Sequence, residues 1–180
     1  LAIGSGIKKV QATFKQIFNL GEDFKPDGSQ FDRLLQDGET FAIGTLKVRV
    51  LAMPGHTNDS IAYVVGNCAF IGDTLFAPDV GSARCGFPGG DARLLHASVQ
   101  KLYQLPESTR LFLCHDYPPG ARLPRCEVSV AEQRLSNLHL RDGVNADQFV
   151  AMRVARDRGL EAPNLILPAI QLNIRGGRKA

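Results

Sequence analysis

Near the start of this chain, apolar residues recur with the spacing that is typical of a helix. Val10 and Phe14 would share one face of a helix over about residues 7–18. Similar patterns predict further helices at about residues 91–105, 130–138 and 145–159. The last of these begins with Asn145 and Gln148, which have the spacing of a capping box.

Between these segments the pattern changes to alternation or to short apolar runs, which are typical of strands. Strands are predicted at about residues 1–4, 40–53, 61–65, 68–71 and 110–114. Gly66 and Asn67 separate two of them and favour a tight hairpin turn. The apolar tail at 165–168 is interrupted by Pro168 and is assigned no element. Strands mixed with separate helices indicate an α/β (α+β) fold with a sandwiched sheet.

Composition indicates one globular domain over residues 1–180, with a short C-terminal tail from about residue 145. The net charge of +3 is too small and too evenly spread to indicate a nucleic-acid partner. No apolar run approaches the roughly 20 residues of a membrane helix, so no membrane partner is expected. The four cysteines have no CxxC spacing, which favours reduced thiols in a cytoplasmic protein over a disulfide framework.

Three polar residues stand directly after apolar strands: His56, Asp73 and His115. Taken singly, each is more often an ordinary loop histidine or turn aspartate than a ligand. Loops at strand ends can, however, bring side chains from distant positions to one point. Two imidazoles and a carboxylate are ligand types for Zn, Fe or Mn. We therefore expect the three side chains to converge at one edge of the sheet.

The segments MPGHTNDS, FIGDTLF and LCHDYPPG contain these residues and resemble, in order, the third, fourth and fifth motifs of the metallo-β-lactamase superfamily. The resemblance implies an αββα sandwich, of which this chain would be the larger, C-terminal part. It also implies metal-binding roles for His56, Asp73 and His115. The first metal motif of the family, HxHxDH, does not occur in these 180 residues. These 180 residues would supply half of a metal site.

Within the superfamily, the chain resembles persulfide dioxygenases and the related β-lactamase hydrolase-like proteins more than it resembles glyoxalase II. Residues 81–90 resemble the loop that binds the glutathione part of the substrate, and residues 114–117 resemble a His-Asp-Tyr segment of those enzymes. The resemblance implies that Arg84 binds a substrate carboxylate, which a guanidinium matches bidentately. It implies catalytic roles for Asp73 and for Tyr117, although the Tyr117 ring could instead pack against the prolines that follow it.

The nearer resemblance implies oxidation of glutathione persulfide by O₂ to sulfite and glutathione, at one Fe(II) per chain. His56, Asp73 and a histidine of the missing motif would hold the iron, and His115 would lie outside the ligand set. The alternative is a dinuclear hydrolase of the glyoxalase II type, in which His115 binds a second metal and a hydroxide attacks a thioester. A non-catalytic fragment or binding domain is a further alternative. Zn suits the same ligands, and a homodimer is also left open.

Overall fold

A computed structural model describes residues 1–178 of the protein. Along the chain the elements are β1 (Ala2–Gly4), α1 (Ile7–Ile17), β2 (Arg33–Leu35), β3 (Thr40–Ile43), β4 (Leu46–Ala52), β5 (Ile61–Val65), β6 (Cys68–Phe70), α2 (Ala92–Leu102), β7 (Arg110–Phe112), β8 (Glu127–Ser129), α3 (Val130–Ser136), α4 (Ala146–Asp157) and α5 (Ile166–Asn173). Helices and strands mix as the hydrophobic pattern predicts, so the mixed α/β class is confirmed. In the described part of the chain, no helix is long and apolar enough to cross a membrane.

Six strands form one mixed sheet in the order β3-β4-β5-β6-β7-β8, whereas β1 and β2 form a separate two-stranded parallel sheet. The pairs β4–β5 and β5–β6 are antiparallel, and the pair β6–β7 is parallel. Strands β4, β6 and β7 therefore run in the same direction, and their carboxyl ends lie at one edge of the sheet. The loops that follow these three strands carry His56, Asp73 and His115.

The main hydrophobic core contains residues of the six-stranded sheet and of helices α2 and α4, which pack against each other. Leu95 and Val99 of α2 and Phe149 of α4 are fully buried in it, together with Ala69 and Leu111 of the central strands. Burial of a large apolar side chain contributes about 1.5–3 kcal/mol. This layer therefore stabilises the strands whose ends carry the candidate site.

A smaller hydrophobic cluster joins the first helix to the last. Phe14 of α1 and Ile174, directly after α5, are buried together with Phe24. Gln11 is fully buried, and its Nε2 donates to the carbonyl oxygen of Ile174 at 2.8 Å. Its Oε1 accepts a hydrogen bond from the backbone N–H of Gly28 at 2.9 Å. The C-terminal segment is thus packed on the body of the protein through both apolar and polar contacts.

Two segments differ from the sequence-based expectation. Residues 40–53 form two antiparallel strands, because Gly44 adopts a φ of +60° in the turn between them. The apolar tail forms helix α5, since Pro168 lies in its first turn, where a missing N–H removes no intrahelical bond. In contrast, Asn145 and Gln148 form the predicted capping box at the start of α4.

The loop between β4 and β5 is held against the start of α2. The backbone N–H of Asp91 donates to the carbonyl oxygen of Gly55 at 2.8 Å. Gly55 has a φ of +144°, and a Cβ at this position would lie only 2.4 Å from the Cα of Leu95. Only glycine allows so close an approach. Helix α2 therefore constrains the position of His56, the next residue in the loop.

We expect Gly55→Ala to lower the free energy of unfolding by about 2–4 kcal/mol, because alanine adds both backbone strain and a clash with α2. Gly21→Ala is the matched control, since a Cβ there has no heavy atom within 4 Å. Urea denaturation followed by circular dichroism measures both variants. A loss for Gly55→Ala no larger than that for Gly21→Ala would show that α2 does not constrain the loop.

Candidate metal centre

Asp73 lies at the centre of the candidate site, with one carboxylate oxygen toward each histidine. Its Oδ2 is 3.8 Å from Nε2 of His56, and its Oδ1 is 3.6 Å from Nε2 of His115. Both distances exceed the roughly 2.7–3.2 Å of a hydrogen bond. Two donors that bind one ion at about 2.0–2.2 Å lie roughly 3–4 Å apart. The spacing therefore fits a cation that lies between the carboxylate and an imidazole ring. The side chains of His56, Asp73 and His115 converge at one edge of the sheet, as predicted.

His56 directs Nε2 toward Asp73 because its other ring nitrogen is occupied. Nδ1 lies 2.7 Å from the backbone carbonyl oxygen of Arg84. A carbonyl oxygen only accepts, so Nδ1 carries the proton and Nε2 keeps its lone pair. The ring also stands edge-on to Phe87, with 5.5 Å between the centroids. Backbone carbonyls commonly orient metal-binding histidines in this way, so His56 is prepared to bind a metal through Nε2.

His115 is less constrained than His56. Its side chain is 53% exposed, against 17% for His56. Neither of its ring nitrogens has a hydrogen-bond partner within residues 1–178. The ring is flanked by Phe76 and Tyr117, at centroid distances of 6.4 and 6.0 Å. Aromatic contacts and the nearby Asp73 carboxylate therefore surround this imidazole, and no hydrogen bond within the described residues orients it.

Cys114 is a further potential ligand that faces Asp73. Its thiol donates to Oδ1 of Asp73 at 3.0 Å, and the ligand atoms of Asp73, Cys114 and His115 all lie within 4.8 Å of one another. Burial, followed by the nearby carboxylate, raises the pKa of the Cys114 thiol to about 12. Burial likewise raises the pKa of Cys85 to about 12. Both residues are therefore neutral thiols near pH 7 and poor nucleophiles.

Two cavities meet at this centre, and His56, Asp73 and His115 line both of them. The apolar arm, a cavity of about 530 Å³ between α1 and α5, is also lined by Ile7, Val10, Phe14, Leu165, Ile166 and Ile170. The basic arm, a cavity of about 470 Å³, is also lined by Ser82, Arg84, Tyr117, His139, Arg153 and Arg156. Cavities of this size are typical of small-molecule sites.

Residues 4–115, more than half of the chain, match the family model for the metallo-β-lactamase superfamily. This chain belongs to the metallo-β-lactamase superfamily. The resemblance inferred from the three ordered motifs is thereby confirmed. The mixed sheet and the five helices of residues 1–178 match the metallo-β-lactamase fold. Proteins of this superfamily bind metal ions, in agreement with the donor atoms gathered around Asp73.

The chain is similar to two curated relatives and to one solved structure. It is 52% identical over 177 residues to glyoxylase B2 of Dictyostelium discoideum, which covers 98% of this chain and 61% of the relative. It is 54% identical over 177 residues to the β-lactamase hydrolase-like protein of Agrobacterium fabrum, over 98% of this chain and 41% of the relative. ETHE1 from Myxococcus xanthus is 32% identical, with a TM-score of 0.73 over 82% of this chain and 61% of that chain. The chain thus spans less than two thirds of each.

In this metallo-β-lactamase fold, Arg84 lies beside His56 in the wall of the basic arm. Its Nη1 donates to the carbonyl oxygen of Glu161 at 2.8 Å, and its Nη2 donates to that of Leu160 at 3.4 Å. Its Cζ lies 4.5 Å from the centroid of the Phe87 ring. Both terminal nitrogens of the guanidinium are therefore already bonded to backbone. The role of Arg84 in binding a substrate carboxylate stays a prediction.

Tyr117 lies at the mouth of the basic arm. Its ring is edge-on to Phe76 at a centroid distance of 5.5 Å and tilted against His115. Its hydroxyl has no hydrogen-bond partner within the described residues. Burial and the nearby Asp73 carboxylate raise its pKa, so the hydroxyl is protonated and can donate at neutral pH. The catalytic role of Tyr117 stays a prediction that this geometry permits.

Asp116 has a structural role that the sequence did not reveal. Its carboxylate accepts hydrogen bonds from Nη1 and Nη2 of Arg122, at 2.8 and 2.7 Å, and from the backbone N–H of Arg125, at 2.7 Å. The ion pair with Arg122, ahead of the other contacts, lowers the pKa of Asp116 to about 2. Since Asp116 follows His115 directly, this network fixes the loop that carries the histidine.

We expect Asp116→Asn to lower the free energy of unfolding at pH 7 by about 1.5–3 kcal/mol, because charge-assisted hydrogen bonds are lost. The exposed pair of Arg93 and Asp147 supplies the control, and Asp147→Asn should cost less than about 1 kcal/mol. Since the folded pKa of Asp116 lies below its ordinary value, its contribution is present above about pH 4 and is lost toward pH 2. Urea denaturation at pH 7 and pH 3 measures this, and an equal deficit at both pH values would contradict it.

Proposed function

We propose that the full-length protein oxidises glutathione persulfide with O₂. One persulfide, one O₂ and one water give glutathione, one sulfite and two protons, so the terminal sulfur is oxidised and O₂ is reduced. Fe(II) would be held by His56, Asp73 and a histidine from outside these 180 residues. The similarity to ETHE1 and the resemblance of residues 81–90 and 114–117 to persulfide dioxygenases support this reaction.

The observation that carries the proposal is the unequal support of the two histidines. The Nδ1 of His56 is fixed by a 2.7 Å hydrogen bond to the carbonyl oxygen of Arg84, whereas the His115 ring is half-exposed and has no such partner within residues 1–178. Ligands that hold a catalytic metal are normally oriented through their second nitrogen. This difference favours a single iron on the His56 side of Asp73, with His115 outside the ligand set.

The donor set fits this iron. Imidazole nitrogen and carboxylate oxygen are the donors of the facial iron sites of non-haem oxygenases. When bound, Fe(II) would supply the redox chemistry that activates O₂. The protein residues would bind and orient the persulfide, and the protonated hydroxyl of Tyr117 would donate a hydrogen bond to it. The free thiols of the cysteines support a reducing, cytoplasmic setting for this activity.

A dinuclear thioester hydrolase of the glyoxalase II type is the second candidate function. The two oxygens of Asp73 face different histidines at 3.8 and 3.6 Å, which is the arrangement expected for a carboxylate that bridges two metal ions. The similarity to a protein named glyoxylase B2 also favours it. In that case Zn would serve as well as iron. His115 and Asp73 would help to hold the metal ions, which would supply the activation of water for thioester hydrolysis.

Substitution of the two candidate ligands separates these functions. In a persulfide dioxygenase, we expect His115→Ala in the full-length protein to keep its iron and most of its oxygen uptake. Asp73→Ala should lose both, because it removes one of three protein ligands. The measurements are oxygen uptake with glutathione persulfide and iron content per chain, with hydrolysis of S-lactoylglutathione as the parallel assay.

The opposite pattern would reject the first candidate. If wild type consumes no oxygen with the persulfide, cleaves the thioester, and loses that activity in both variants, the protein is a dinuclear hydrolase. The reason is that His115 would then hold the second metal while Asp73 bridges the pair.

A further inference from the structure

Three arginines line the basic arm, and two of them are already committed to protein groups. Arg84 donates from both terminal nitrogens to backbone carbonyls. Arg153 is fully buried, donates from Nη1 to the carbonyl oxygen of Ser82 at 3.2 Å, and pairs with Asp157 at 2.7 Å. Releasing the Arg153 guanidinium for a ligand would leave the buried carbonyl of Ser82 and the carboxylate of Asp157 without this partner, which is costly. The carbonyls that accept from Arg84 are exposed, but they already engage both of its terminal nitrogens.

Arg156 is the arginine of the arm that is available to a ligand. It lies one turn after Arg153 on α4, on the same side of the helix, and its side chain is exposed at the basic arm. Within residues 1–178 its guanidinium makes no hydrogen bond or ion pair. Its five donors are therefore free for an anionic partner.

The charged side chains that line the basic arm favour an anion at the end that carries Arg156. The single acidic residue among the lining side chains is Asp73, which belongs to the metal centre. His139 accepts the backbone N–H of Ser82 on Nδ1 at 2.9 Å, so its proton is on Nε2. Burial, and then the charges of Arg153 and Arg156, lower the pKa of His139 to about 4. The imidazole is therefore neutral near pH 7, and Arg156 supplies the free positive charge.

We propose that Arg156, and not Arg84, is the residue that binds a carboxylate of the substrate, and that the basic arm takes the carboxylate-bearing end of a thiol peptide. This inference rests on the proposed function, because it requires the reacting sulfur to lie at Asp73. The arm joins the two points in one cavity of about 470 Å³, with Phe76 and Phe87 among its walls. A carboxylate and a guanidinium match in charge and in bidentate geometry.

The two arginines then have separable roles. Arg84 is a positioning residue, since its carbonyl orients His56 and its guanidinium holds the loop after α4. Arg156 has no protein partner within residues 1–178 and would contact only the substrate, at a group remote from the reacting sulfur. Loss of Arg156 should therefore change KM and leave kcat nearly unchanged, because binding at a remote, non-reacting group is lost equally from the ground state and the transition state.

The test compares Arg156→Leu with Arg158→Leu in the full-length protein. Arg158 is exposed at the end of α4 and does not line the arm, so its variant is the matched control. With glutathione persulfide, KM for Arg156→Leu should rise roughly 10- to 100-fold, as expected for the loss of a charge-assisted hydrogen bond. Arg156→Lys should recover part of the loss. With the persulfide of 2-mercaptoethanol, which has no carboxylate, Arg156→Leu should behave as wild type.

Calorimetric binding of glutathione keeps this inference separate from the proposed reaction. If wild type binds glutathione, Arg156→Leu loses that binding and neither consumes oxygen, the proposed reaction fails and the carboxylate site stands. The inference is overturned if Arg156→Leu keeps the wild-type KM. It is also overturned if the variant is impaired equally with the carboxylate-free persulfide, since a structural defect would then explain the loss.

Discussion

The shared direction of strands β4, β6 and β7 is the constraint on which the candidate site depends. Because β5 is antiparallel to both of its neighbours and β6 pairs with β7 in parallel, the loops after three strands leave the sheet at one edge. Side chains separated by up to 59 residues, from His56 to His115, thereby come within 3.8 Å of one carboxylate, that of Asp73. A change in the direction of one strand would remove one ligand from the site.

Interactions around the edge then determine how well each side chain is held. Helix α2 fixes the first loop through its contact with Gly55, and the carbonyl of Arg84 fixes the ring of His56. The third loop is fixed through Asp116 and not through His115 itself. The site is consequently asymmetric, with a rigid half at His56 and a more adaptable half at His115. The same asymmetry is the observation that favours one metal ion over two in the proposed function.

Much of this arrangement could be predicted from local pattern. The positions of His56, Asp73 and His115 directly after apolar runs indicated their convergence, and the capping box of α4 formed as expected. Helix α5 was missed because an apolar run with a proline does not show that the proline lies in the first turn. The strands β2 and β8 were also missed, because β2 lies in a polar, turn-rich stretch and β8 contains a single apolar residue, Val128.

The contacts that support the site could not be predicted in the same way. The hydrogen bond from His56 to the carbonyl of Arg84 and the pairing of Arg153 with the loop of Ser82 join residues far apart in the chain, and no spacing encodes them. From the sequence, the resemblance of residues 81–90 favoured Arg84 as the residue that binds a substrate carboxylate. Only the fold shows that its nitrogens are bonded and that the Arg156 side chain lies open to the basic arm.

The central claim is that one metal lies between His56 and Asp73. Anomalous diffraction from crystals of the full-length protein, grown without oxygen and recorded on both sides of the iron absorption edge, tests it directly. The account predicts one iron peak per chain, about 2.0–2.2 Å from Nε2 of His56 and from the carboxylate of Asp73, with His115 beyond bonding distance. Two peaks bridged by Asp73, the second bonded to His115, would contradict it.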